Sequence, residues 1–224
     1  MNTAIEEVPI LDLTAFLRGD EGALEKVAGQ LRYALEEVGF LAVVNHGIPQ
    51  TLIDQMFLET ERFHALPEQE KTKLAVNQDH VGYMGNEGEL PRTSPYSAGI
   101  LKPHVGECFF TRCDRAPHAL KVKNQWPDSL PGFRETLVEY FETLERFGRQ
   151  ILPIYATALD LPPDYFDDAF SEFETLSILR AAHMPPGDLE VGQFNVGPHT
   201  DGGFITLLAM AEVPGLELLS QSGN

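Results

Sequence analysis

The hydrophobic period of this chain changes once, near residue 175, and that change is the strongest constraint on its fold. Before it, apolar residues recur every three or four positions. Leu24, Val27, Ala28, Leu31, Leu35 and Val38 form one stripe that predicts a helix over 21–38, with Gly39 in the position of a helix stop. A second helix is expected over 50–65, and Pro67 opens a third, with Glu68 and Glu70 in its first turn. The longest run, over 132–159, carries Phe133, Leu137, Tyr140, Phe141, Leu144, Phe147, Ile151 and Tyr155; Pro153 is expected to kink or split it. Pro162-Pro163-Asp164 reads as the start of another short helix. Strand-like runs are sparse in this part: Val8–Leu13, Phe40–Val44 and Glu107–Arg112. After residue 175 the apolar runs turn short and β-like, at Thr175–Met184, Phe204–Met210 and Gly215–Leu219. Helices followed by strands, without regular alternation, make an α+β chain.

Charge narrows the partners. Among 224 residues, 34 Asp and Glu stand against 16 Lys and Arg, for a net charge of −18. No basic stripe is available to displace counterions from nucleic acid, and an acidic surface is repelled by anionic lipid. No apolar run approaches the roughly 20 residues needed to span a bilayer. The N-terminus, Met1 to Glu7, lacks the basic and apolar regions of a signal peptide. Cys108 and Cys113 have neither thioredoxin-like nor zinc-ribbon spacing, and read as reduced structural thiols of a cytoplasmic protein.

Chemistry concentrates at His199-Thr200-Asp201. In extended chain, residues two apart point the same way, so this imidazole and carboxylate are able to reach one metal ion. Two His and one carboxylate on one face of Fe(II) leave positions open for oxygen chemistry. Seven His and 34 acidic residues make about one such tripeptide expected by chance. The flanking Gly197-Pro198 and Gly202-Gly203 add weight, since glycines let backbone approach an ion and leave ladder pairing.

Five segments, in order and including the one around His199-Thr200-Asp201, resemble the Fe(II)/2-oxoglutarate-dependent dioxygenases of the isopenicillin N synthase-like group. Val8-Pro9-Ile10-Leu11-Asp12-Leu13 is similar to that family's opening, and Gly39-Phe40-Leu41-Ala42-Val43-Val44-Asn45-His46-Gly47-Ile48 to its G-F-f-x-v-x-N-H-G-I segment. Phe63-His64-Ala65-Leu66-Pro67-Glu68-Gln69-Glu70-Lys71 is similar to its F-F-x-L-P-x-E-x-K segment. Pro198 to Leu208 resembles its H-T-D metal strand, and Val213 to Leu218 the strand that follows.

The resemblance implies a double-stranded β-helix (jelly roll) with helical N-terminal additions, incomplete at the C-terminus. Residues 1–115 would form the N-terminal dioxygenase region, 116–172 a long helix and connector, and 173–224 the start of the catalytic core. It implies Fe(II) held by His199 and Asp201 with a distal His, and 2-oxoglutarate as co-substrate on the metal and on an Arg of an R-x-S motif. O2 and 2-oxoglutarate would be consumed together, giving succinate and CO2 while a C–H bond of a small molecule is hydroxylated, desaturated or cyclised. No His follows His199, and no Lys or Arg follows Arg180. The chain is therefore expected to be truncated relative to the family and to lack turnover as a fragment. Met184 stands where the family often has a Tyr that contacts 2-oxoglutarate. Arg180 shares strand parity with it, and is expected in the substrate or co-substrate pocket, facing an acidic group. Two alternatives stay open: a non-catalytic binding or scaffold relative, and a 2-oxoglutarate-independent iron oxidase. The oligomeric state and the substrate are not legible.

Overall fold

The structure, a computed structural model, describes residues 7–85, 105–114, 122–171, 175–187, 190 and 193–219. The elements run β1 (Ile10–Asp12), α1 (Thr14–Arg18), α2 (Ala23–Glu37), β2 (Ala42–Val44), α3 (Gln50–His64), α4 (Glu68–Thr72), β3 (Gly82–Met84), β4 (Glu107–Arg112), α5 (Phe133–Ala158) and β5 (Ile178–His183). They fall into two compact units, 1–48 with 146–171 and 208–224, and 49–145 with 172–207.

In the first unit β1 and β2 pair in parallel, with Leu11 opposite Val43. The buried face of α2 is Ala23, Val27, Ala28, Leu31 and Ala34. It is rotated slightly from the expected stripe, because Ala34 turns inward while Leu35 is exposed. Arg32 donates from Nε to the Ala158 carbonyl and pairs with Asp160 at 2.8 Å, satisfying the C-terminal end of α5.

The Asn45-His46-Gly47-Ile48 turn is structural. Asn45 adopts φ 56° and Gly47 φ 77°. Asn45 Nδ2 donates to Asp12 Oδ1 at 2.9 Å, and His46 Nδ1 accepts from the Ile48 amide at 3.1 Å. Asp12 also accepts from the Thr14 hydroxyl and amide. The Thr14 hydroxyl, then Asn45, hold its carboxyl down at about 2. A lowered folded-state pKa supports stability above the ordinary carboxylate range, and that support is lost as pH falls through about 2. Asp12→Ala is accordingly expected to lower the melting temperature at pH 7, with the gap to the parent closing as both are titrated toward pH 2. Melting curves across that range check it.

The second unit holds an antiparallel sheet in the order β3-β4-β5, with Tyr83 opposite Phe109 and Phe109 opposite Ala181. One face of the sheet packs on helices. Phe63 and Met56 of α3, Phe133, Leu137 and Tyr140 of α5, and Tyr83, Phe109 and Ala181 of the strands form the core. Alternation assigns the other face Met84, Cys108, Phe110, Arg180 and Ala182.

Several expected elements differ. α5 is not split at Pro153 but runs through it as one helix, the proline removing a single i→i−4 bond. Pro67 is the N-cap of α4 rather than its first helical residue. Residues 163–170 form successive turns, too short a stretch to repay helix nucleation. Residues 204–210 and 215–219 make no ladder among the described residues. An alternating apolar run defines a strand only once a partner edge takes up its backbone groups. Leu208, Met210 and Val213 are correspondingly exposed.

Candidate functional site

The segment 193–203 that follows β5 is irregular, and it places His199 and Asp201 side by side. His199 Nδ1 lies 2.9 Å from the Gly197 carbonyl. A carbonyl only accepts, so Nδ1 carries a proton, and in the neutral ring Nε2 is then the bare nitrogen. That nitrogen faces Asp201 Oδ1 at 3.3 Å, with both side chains partly open to solvent. Two electron-pair donors at this separation match two ligands of one metal, each about 2.0–2.2 Å from it. A backbone carbonyl fixing the far nitrogen is the usual way a ligating imidazole is oriented. The pair therefore fits a divalent ion.

Arg180 and Met184 lie on the exposed side of β5 and its continuation, as their shared parity predicts. Arg180 Nε donates to Cys108 Sγ at 2.9 Å, and its guanidinium sits 5.8 Å from the Phe110 ring centre. No carboxylate among the described residues pairs with it. Met184 covers Gly106, where a Cβ would stand 2.9 Å from the Met184 sulfur.

A second polar constellation lies on the helix-facing side of the sheet. Glu107 opens β4 and is buried. Its Oε2 accepts from Lys71 Nζ at 2.7 Å and from the Tyr83 hydroxyl at 2.5 Å. Its Oε1 lies 2.8 Å from His183 Nδ1 and 3.3 Å from His64 Nδ1. Burial pushes the Glu107 carboxyl up, but the hydrogen bonds from Lys71, Tyr83 and His183 outweigh it and hold it at about 2. Burial pushes the His64 imidazole down, against the Ala181 carbonyl and Glu107, which favour its charged form. Tyr83 is pushed well above the ordinary phenol range by burial and by the carboxylates it serves.

The sequence pattern gives His64, Glu107 and His183 no shared role; α3, α4 and all three strands of the sheet bring these side chains together. The available signals were a Glu at the head of an apolar strand and the parity of His183 with buried Ala181.

The family described as non-haem dioxygenase in morphine synthesis, N-terminal, matches residues 8–129. The 2-oxoglutarate-Fe(II) type oxidoreductase ppzD of Metarhizium rileyi is 31% identical over 98% of this chain and 65% of its own length. The proline hydroxylase buaE of Petromyces alliaceus is 34% identical over 96% of the chain and 68% of its own length. A Neurospora crassa protein, solved at full length in complex with alpha-KG, superposes with a TM-score of 0.73 at 24% identity, over 91% of this chain and 63% of that one. The chain thus spans a little under two thirds of ppzD and of the Neurospora crassa protein. The fold is α+β, comprising helical N-terminal additions and part of a double-stranded β-helix. Both by its sequence relatives and by its fold, this chain belongs to the 2-oxoglutarate- and Fe(II)-dependent oxygenase superfamily.

Proposed function

We propose that the protein carrying this chain is a non-haem Fe(II)- and 2-oxoglutarate-dependent oxygenase of the isopenicillin N synthase-like group, oxidising a C–H bond of a small molecule. The observation that carries this reading is the 3.3 Å approach of His199 Nε2 to Asp201 Oδ1. His199 and Asp201 would hold the iron. When bound, Fe(II) supplies open positions at which 2-oxoglutarate and O2 are activated together.

The chain's own residues position and orient. The Gly197 carbonyl holds the His199 ring in the tautomer that keeps Nε2 free of a proton. Arg180 and Met184 border the substrate or co-substrate pocket. The Arg180 guanidinium, fixed at Nε by Cys108 and without an ion pair among the described residues, presents its remaining donors to an acidic group of the bound molecule. Met184 offers no hydrogen bond of the kind a Tyr would make there. The acidic balance of the chain supports a protein without nucleic-acid or anionic-membrane partners, and we place it in the cytoplasm. No helix among the described residues is long and apolar enough to cross a membrane.

His199→Ala or Asp201→Ala is expected to weaken Fe(II) binding by at least about 100-fold, since loss of an outer partner alone costs 10–100-fold. Anaerobic titration of the chain with Fe(II) measures this. Unchanged affinity in either variant would remove the ligand assignment. In the protein carrying the chain, both substitutions are expected to abolish succinate formation from 2-oxoglutarate.

A further inference from the structure

We propose that His64 Nδ1, Glu107 Oε1 and His183 Nδ1 form a second metal site, for a zinc-class divalent ion, on the helix-facing side of the β3-β4-β5 sheet. One ligand atom from each of the three residues lies within 4.8 Å of the other two. The site is independent of the His199/Asp201 pair.

The argument begins with the His64 tautomer. His64 Nε2 is 3.1 Å from the Ala181 carbonyl, so Nε2 carries the proton and donates it. In the neutral ring Nδ1 is then bare. It is buried, it makes no hydrogen bond, and it lies 3.3 Å from Glu107 Oε1. Oε1 already accepts from His183 Nδ1, but the buried His64 Nδ1 faces it with no donor of its own, an arrangement that costs free energy until a cation occupies the gap. Two ligands of a tetrahedral zinc, each about 2.0–2.1 Å from the metal, stand about 3.3 Å apart. The His199/Asp201 pair shows the same design: one ring nitrogen tied to a backbone carbonyl, the other 3.3 Å from a carboxylate oxygen.

The remaining contacts fit. In the metal-free protein His183 Nδ1 donates to the same Oε1 at 2.8 Å; an ion entering along this side chain, which is 40% exposed, would take the place of that proton, the neutral ring then carrying its proton on Nε2. Lys71 and Tyr83 occupy the other carboxylate oxygen, Oε2, and so orient the ligand from outside the site. Lys71 is also 3.3 Å from Glu68, so its charge is shared between two carboxylates. With both imidazoles neutral, Glu68, Glu107 and Lys71 leave one negative charge for the ion to neutralise. Two imidazoles and a carboxylate are the ligand types that select zinc and its neighbours over calcium or magnesium. A bound ion would tie the end of α3 to β4 and β5.

The test uses the full chain carrying His199→Ala and Asp201→Ala, stripped with chelator and then titrated with Zn(II) and, separately, Co(II). The expected result is one equivalent of Zn(II) per chain and the strong visible absorption of four-coordinate Co(II). Adding His183→Ala, which alters a half-exposed side chain, is expected to weaken Zn(II) binding at least about tenfold while the circular dichroism is unchanged. Glu107→Gln should do the same where it folds. Nitrogen NMR of His64 in the same His199→Ala, Asp201→Ala chain gives an assay that leaves the proposed site intact: Nδ1 should respond to one equivalent of Zn(II). Failure to bind Zn(II), binding that is unaffected by His183→Ala, or a metal-free His64 protonated on both nitrogens at pH 7 would each overturn the proposal.

Discussion

Replacing Phe63 by Ala is expected to cost about 3–5 kcal/mol of folding stability and to lower the melting temperature by roughly 6–20 °C. The Phe63 side chain is fully buried at the meeting point of helix and sheet. Its ring centre is 4.6 Å from that of Phe109 on β4, 5.2 Å from that of Phe133 on α5 and 6.0 Å from that of Tyr83 on β3. Three elements therefore face the void its removal leaves. None closes it easily, since β4 is pinned in register by both neighbouring strands. The cost combines lost transfer free energy with an uncollapsed cavity, and takes a large share of the 5–15 kcal/mol that holds a domain folded. Urea and thermal unfolding of the chain measure it. Tyr33→Ala, at a side chain 63% exposed, is the control and should stay within about 0.5 kcal/mol. A Phe63→Ala shift as small as the control's would mean that this cluster is not the cooperative core.

How much of the molecule was legible follows from how local each feature is. β4 was readable to the residue, because six consecutive residues bounded by turn signals need no partner to be recognised. α5 was readable because helical spacing persists over 26 residues. The face of α2 was not, at the level of single residues: Ala34 and Leu35 are neighbours on the helix surface, and only the packing decides which turns inward. The proximity of His199 and Asp201 was readable because two residues apart in extended chain share a direction. The His64–Glu107–His183 constellation was not. Its members are separated by 43 and 76 residues and meet only through the packing of α3 on the sheet and the β4–β5 register, with Glu107 opposite His183. A single sequence carries no signal of which strands pair. The stretch over 204–219, which makes no ladder among the described residues, makes the same point from the other side: alternation marks a strand, but a ladder needs a partner edge that alternation does not name.

Lys71→Met is expected to destabilise the chain by about 3–5 kcal/mol at pH 7, the cost of leaving a buried carboxylate without its cation. Lys71 and Glu107 are buried together at 2.7 Å, with side chains 8% and 6% exposed. The methionine keeps most of the lysine stem's packing, so the effect isolates the charge. Its pH dependence follows from the Glu107 carboxyl, held at about 2 in the folded protein against an ordinary 4.5. In the parent, the stability this contributes is complete above the ordinary value and is lost as pH falls through about 2. In the variant, burial still pushes the carboxyl up while the lysine hydrogen bond that most opposed burial is gone, so Glu107 takes up its proton at higher pH. The stability gap between parent and variant should therefore be widest at neutral pH and narrow steadily below about 4.5. Urea midpoints at pH 7 and pH 3, with chelator present, distinguish this from a packing defect, which would leave the gap constant. Adding Glu107→Leu to Lys71→Met removes the stranded charge, and should recover much of the loss at pH 7. A double variant no more stable than the single one would locate the cost in the hydrogen bonds of Tyr83 and His183, which also lose their acceptor when Glu107 goes.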